Sequence, residues 1–144
     1  FGNSSGTVQN LTVKNSWVSG GKNTAGIVAV LRGDGIVRNA KNKSSIIGKA
    51  ESTAGIVALT SSVYSKRGLI ENCDNYGSIQ GEKLVAGIIA SSDGGLTIKN
   101  VTNEGKIVGI GTHEELLKTC ETYKQIALSQ LSEEELNKED NKEV

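Results

Sequence analysis

GIVRNAKNKSSIIG, at residues 35–48, is one of four related stretches that determine the fold of this chain. The other three are GTVQNLTVKNSWVSG (6–20), GLIENCDNYGSIQG (68–81) and GLTIKNVTNEGKIVG (95–109). A second motif recurs between them, as AGIVA at 25–29, AGIVA at 54–58 and AGIIA at 86–90. A unit of about 30 residues that recurs at a nearly constant period is typical of a solenoid.

Within each unit the apolar residues form short β-branched bursts such as Ile36-Val37 and Ile46-Ile47, flanked by Gly, Asn or Ser. This pattern predicts strands of three to five residues separated by turns, and no 3.6-residue helical period runs through the first 110 residues. A short strand can bury its apolar side only against the equivalent strand of the next coil. The sequence therefore predicts a mainly β fold: a right-handed parallel β-helix of about four coils with a C-terminal capping α-helix.

Asparagines recur in register with the repeats. Asn10, Asn39, Asn72 and Asn100 are 29, 33 and 28 residues apart. Asparagine tolerates left-handed backbone, and stacked copies can hydrogen-bond one another. We therefore expect an asparagine ladder at the bends, made of Asn39, Asn72, Asn100, Asn42, Asn75 and Asn103. The Ala-Gly pairs of the second motif predict a close approach of one wall to the opposite one.

Composition divides the chain near residue 111. All 18 glycines lie at or before Gly111, and residues 1–110 hold 12 Lys or Arg against 7 Asp or Glu. Residues 111–144 hold 4 against 9, so the overall charge of zero is a cancellation. We predict a solenoid domain over 1–110, a helical segment over 111–136 and a frayed acidic tail over 137–144.

The helical segment carries a start signal. Thr112 and Glu115 have the spacing of a capping box, in which each side chain bonds the backbone of the other residue. Leu116, Cys120 and Tyr123 then fall on one face of the predicted helix. We expect this face to cover the open strand edges of the last coil, because uncapped edges favour aggregation.

Residue types that carry catalysis are sparse. Cys73 and Cys120 lack metal-type spacing and His113 lacks partner ligands, so we expect no enzyme activity, catalytic residue, metal or cofactor. The apolar runs are too short to span a bilayer. The basic repeat segment has no aromatic residues interleaved with its lysines in the sequence, so we expect a solvated face and no nucleic-acid partner. Arg32-Gly33-Asp34 matches the integrin-recognition tripeptide and is the candidate adhesion loop, with an ordinary polar turn as its alternative.

The repeat pattern G-x-[VI]-x-N-x-x-[VN]-x-N, followed by a Gly-flanked Val/Ile pair and AGIV, resembles the GLUG-type repeats of large bacterial surface proteins. The resemblance covers about residues 6–109. It implies display on the cell surface or secretion, a spacer or adhesive role, and no catalysis in the repeats. The implied partners are a host matrix protein or glycan and the neighbouring domains of a larger surface protein.

The tail GKIVGIGTHEELLKTCETYKQIALSQLSEEEL (105–136) is similar to the C-terminal end of an ABC exporter nucleotide-binding domain, which alone would imply a cytoplasmic protein. The chain lacks the G-x-x-x-x-G-K-[ST] phosphate loop and the LSGGQ-like signature of that family. Gly105 to Gly109 satisfies both patterns at once.

Three functions stay open from the sequence. The first is a non-enzymatic solenoid module of a bacterial surface or secreted protein, with an adhesive, spacer or scaffold role. The second is a fragment or fusion that carries a transporter tail without ATPase residues. The third is a constructed or recombined chain with no selected function.

Overall fold

The fold is a stack of parallel strands. A computed structural model describes residues 1–63 and 65–110, which form thirteen strands and, within those two ranges, no helix. The strands are β1 (Asn3–Ser4), β2 (Thr7–Gly20), β3 (Thr24–Ala25), β4 (Val28–Arg32), β5 (Ile36–Gly48), β6 (Thr53–Ala54), β7 (Val57–Ser61), β8 (Arg67–Asn75), β9 (Ile79–Gly81), β10 (Val85–Ala86), β11 (Ile89–Asp93), β12 (Gly95–Asn103) and β13 (Ile107–Ile110).

These strands make three parallel walls. The first wall has the order β1-β4-β7-β11, and the third, made of two-residue strands, has the order β3-β6-β10. The second and largest wall joins β2, β5, β8 and β12, and continues past a bend through β9 and β13. Each strand pairs with its counterpart about one repeat away, so the chain is a parallel β-solenoid of about four coils. We number the coils from the N-terminus: coil 1 contains β1–β3, coil 2 β4–β6, coil 3 β7–β10 and coil 4 β11–β13.

The interior is aliphatic and continuous from coil to coil. Ile27 and Ile56 are 1% and 0% exposed, and the half-buried Ile88 packs against the same core. The three residues form one file, because the residues that follow them pair in register as Val28, Val57 and Ile89. Burying an aliphatic side chain of this size contributes about 1.5–3 kcal/mol. The prediction of a shared interior is confirmed.

The strands of the second wall are longer than the three to five residues predicted. β2 has 14 residues and β5 has 13. The reason is the left-handed asparagine in each of them, Asn10 at φ 56° and Asn39 at φ 50°. This conformation turns the chain while the hydrogen-bond ladder to the next coil continues on both sides of the turn. A bend that the sequence marked as a strand end is therefore a corner within one strand.

The predictions for the tail lie outside the described residues. They are the helix over 111–136 with its capping box at Thr112 and Glu115, the cover it would form over the last coil, and the acidic segment 137–144. The right-handed winding stays a prediction.

Candidate functional site

An asparagine ladder runs through the interior at the corner that follows β8 and β12. Asn42 Nδ2 donates to Asn75 Oδ1 at 2.8 Å, and Asn75 Nδ2 donates to Asn103 Oδ1 at the same distance. Asn42 and Asn75 are fully buried. Each amide also closes its own corner: Asn75 Nδ2 donates to the Gly77 carbonyl at 3.1 Å, and its Oδ1 accepts from the Gly77 N–H at 3.3 Å. Every polar atom of the Asn75 side chain therefore has a partner, which is the condition for burying it without a large penalty.

Glycine at the wall opposite this ladder makes room for it. A Cβ at Gly55 would overlap both the Asn75 side chain and the Gly87 carbonyl oxygen. Gly26 and Gly87 meet Asn42 and Asn103 in the same way. The predicted close approach of the Ala-Gly motif to the opposite wall is confirmed, and its partner is the asparagine side chain of the ladder, which is buried at Asn42 and Asn75 and exposed at Asn103.

A second ladder runs along the exposed bend. Asn39 Nδ2 donates to Asn10 Oδ1 at 3.1 Å, Asn72 to Asn39 at 3.1 Å, and Asn100 to Asn72 at 2.7 Å. All four residues are in the left-handed region, with φ between 50° and 56°. The six predicted asparagines thus belong to two separate ladders, one exposed at the left-handed bend and one in the interior. Coil 1 joins only the exposed ladder, because Val13 occupies the position of Asn42.

The candidate adhesion tripeptide forms a tight corner. Arg32 ends β4, Gly33 has φ 62°, and Gly33 donates its N–H to the Ser61 carbonyl at 2.9 Å. The Gly33 carbonyl accepts from Ser62 Oγ at 2.8 Å, and Asp34 Oδ1 lies 3.7 Å from Lys66 Nζ. Coil 3 therefore fixes this turn, while the Arg32 and Asp34 side chains stay exposed.

Among the described residues, Glu51 and Cys73 have shifted pKa values. The Lys22 ammonium, 3.0 Å from the Glu51 carboxylate, lowers the pKa of that carboxyl by hydrogen bonding and by its charge. Burial raises the pKa of the Cys73 thiol. A buried thiol of raised pKa is a poor nucleophile. The described residues hold no group of three or more His, Cys, Asp or Glu that could bind a metal ion.

The outer side of the second wall carries aromatic and basic side chains together. Lys14 pairs with Lys43, and Lys43 Nζ lies 5.5 Å from the centre of the Tyr76 ring on the following coil. Trp17 pairs with Ser45 beside them, and both aromatic rings are 40% exposed. We call Lys14, Trp17, Lys43 and Tyr76 the aromatic–lysine face. The sequence gives no sign of this interleaving, because these residues are brought together only by the coiling of the chain.

A shallow groove adjoins this face. Trp17 is one of the residues that line it, and the groove is open to solvent. Ser45 and Ser78 line it together with Ile47, Gln80 and Val108. The surface that these residues expose in the groove is almost entirely apolar, so the groove is an apolar strip beside the aromatic–lysine face.

The fold class established by these features is a parallel β-solenoid. No known protein family matches the chain, and no solved structure matches it. The GLUG resemblance is therefore not supported by a family match. In the part of the chain that the structure describes, no helix is long and apolar enough to cross a membrane.

One similarity to a curated protein was found. The chain is 69% identical over 26 residues to the subtilin transport ATP-binding protein SpaT of Bacillus subtilis. These residues are 18% of this chain and 4% of that protein. The match supports the predicted likeness to an ABC transporter ATP-binding protein, and its length confines the likeness to a short segment.

Proposed function

We propose that the chain is a non-enzymatic β-solenoid module of a bacterial cell-surface or secreted protein, with an adhesive, spacer or scaffold role. The observation that carries the proposal is the pair of asparagine ladders, which hold about four coils in one register. Such a stack is built from nearest-neighbour contacts and presents long, regular outer walls. The resemblance of the repeats to GLUG-type surface repeats supports the same role and the extracellular location.

The partners that fit this proposal are a host matrix protein or glycan and the adjoining domains of a larger surface protein. Two surfaces are available for contact: the Arg32-Gly33-Asp34 corner and the aromatic–lysine face. Both lie on the outside of the coil, and the interior is occupied by aliphatic side chains and amides. Binding on the walls therefore leaves the fold undisturbed.

A second candidate is a fragment or fusion carrying the tail of an ABC transporter ATP-binding protein, and the 26-residue identity favours it. The two candidates differ in the origin that they give the chain, and they predict the same result for nucleotide binding. The phosphate loop is missing from the sequence, so both candidates predict no binding of a fluorescent ATP analogue. The third candidate is a chain that was constructed or recombined and has no selected function.

The cellular location of a single peptide distinguishes the three candidate functions. Cleavage before aspartate releases residues 93–139, which contain β12, β13 and the transporter-like segment in one piece. We expect to detect this peptide by mass spectrometry in the surface or secreted fraction of the source bacterium. Its presence only in the cytosol would contradict the surface role, and its absence from every fraction would indicate a constructed chain.

A further inference from the structure

We propose that the aromatic–lysine face binds an acidic polysaccharide along the solenoid axis. This inference rests on the adhesive form of the proposed function and names its ligand and its site. It starts from the register of two neighbouring columns of outward-facing residues. One column reads Lys14, Lys43, Tyr76 and Glu104, and the other reads Trp17, Ser45, Ser78 and Lys106.

The two lysines of the first column favour an anionic ligand. Lys14 and Lys43 lie opposite each other on adjacent coils, and like charges placed in this way repel. The ion pairs found among the described residues are Lys22–Glu51 and Lys66–Asp34, so neither lysine of the face has a carboxylate partner there. A ligand carboxylate or sulfate between the two ammonium groups would relieve the repulsion.

The aromatic residues select a sugar. Trp17 and Tyr76 stay 40% exposed at the surface of a protein that has one Trp and three Tyr in all. Amphipathic rings of this kind present an apolar face to a ligand and a polar atom to water. They lie two coils apart in neighbouring columns, so their separation along the solenoid axis is about 10 Å at the usual strand spacing. A pyranose ring offers an apolar face to each aromatic ring, and the apolar lining of the adjoining groove suits the same face of the sugar.

The same columns argue against a nucleic acid. Glu104 continues the line of Lys43 and Tyr76 on coil 4, and its carboxylate is exposed. A strand with a phosphate on every nucleotide would place one of these charges close to Glu104. A polysaccharide whose acidic and neutral units alternate can place its anion on coils 1 and 2 and a neutral ring beside the acidic side chain.

The single tryptophan makes a direct assay. The intact chain is titrated with polygalacturonate, with hyaluronan, whose acidic and neutral units alternate, and with neutral dextran, while Trp17 emission and its quenching by acrylamide are followed. We expect the acidic polymers to shift the emission and protect the ring, hyaluronan at the lower concentration, and dextran to do neither. The K14Q/K43Q variant should bind about tenfold more weakly, because two exposed ion pairs of ordinary strength are lost. The matched variant R67Q/K99Q removes the same charge from the other arm of the second wall and should bind as the parent does.

Each other outcome overturns the proposal. If both double variants lose affinity equally and Trp17 emission does not change, the chain binds glycans elsewhere, and the proposed function survives without this site. If a single-stranded oligonucleotide protects Trp17 better than the acidic glycans, the face is a nucleic-acid surface. If acrylamide cannot reach Trp17 in the free chain, the face is already covered. The location of the 93–139 peptide decides the surface role independently of all three.

Discussion

Truncating the buried Asn75 side chain to the methyl group of alanine removes its amide and tests whether the interior ladder holds the coils together. In Asn75→Ala the Nδ2 group of Asn42 and the N–H of Gly77 lose their acceptors at a corner that is fully buried. An unsatisfied buried polar group costs about 1–3 kcal/mol, so the two together cost about 2–6 kcal/mol. Domains are stable by about 5–15 kcal/mol, so this single change removes a large part of the total.

The matched control lies three residues earlier in the same coil. Asn72 makes two hydrogen bonds in the exposed ladder at φ 52°. In Asn72→Gly water replaces both bonds, and glycine adopts this backbone freely, so we expect a change within about 1 kcal/mol. Repeat proteins can unfold in more than one step, and placing both substitutions in coil 3 keeps the comparison local.

The assay is urea unfolding of the parent and both variants, followed by circular dichroism in the β-sheet band. We expect a much lower midpoint for Asn75→Ala and a nearly unchanged one for Asn72→Gly. If the two variants differ by less than about 1 kcal/mol, the buried amides are not what stabilises the stack, and the aliphatic file carries the stability alone.

Three further predictions concern the core and the ionisable groups. Gly55→Ala places a Cβ against the Gly87 carbonyl and should cost about 1–3 kcal/mol in the same urea experiment, whereas Gly6→Ala, with open space around it, should cost little. The Lys22–Glu51 pair lowers the pKa of the carboxyl, so its contribution is fully present above the ordinary value of 4.5 and is lost as pH falls through the lowered pKa; Lys22→Gln should therefore lower Tm slightly at neutral pH, and by progressively less as pH falls below 4.5. The Cys73 thiol should alkylate far more slowly in the native protein than in urea at about pH 8.5, because burial raises its pKa; mass spectrometry of its peptide measures the two rates, and equal rates would show that the thiol is accessible.

The sequence was sufficient for features that repeat and insufficient for features that arise between repeats. The period, the parallel stack and the left-handed asparagines all follow from residues such as Asn39 that recur at fixed positions. The strand lengths do not follow from the sequence. Asn10 has the residue type of a turn, yet the pairing of β2 with β5 continues on both sides of it. The contact of Lys43 with Tyr76 joins residues 33 positions apart and has no counterpart elsewhere among residues 1–63 and 65–110. One copy of such a contact leaves no periodic signal.

Register in this stack depends on polar residues more than on apolar ones. Aliphatic side chains such as Ile27 and Ile56 are nearly interchangeable, and a strand that slipped by two residues would keep its apolar side inward. The same slip would carry Asn42 and Asn75 out of line and break the two amide bonds that join the coils, leaving each side chain with only the bonds to its own corner. It would also remove the glycine that makes room for the amide, since Gly55 serves only the residue that faces it. The interior asparagines therefore penalise every register but one, and Val13, which lacks this bond, leaves coil 1 as the coil whose register is least constrained.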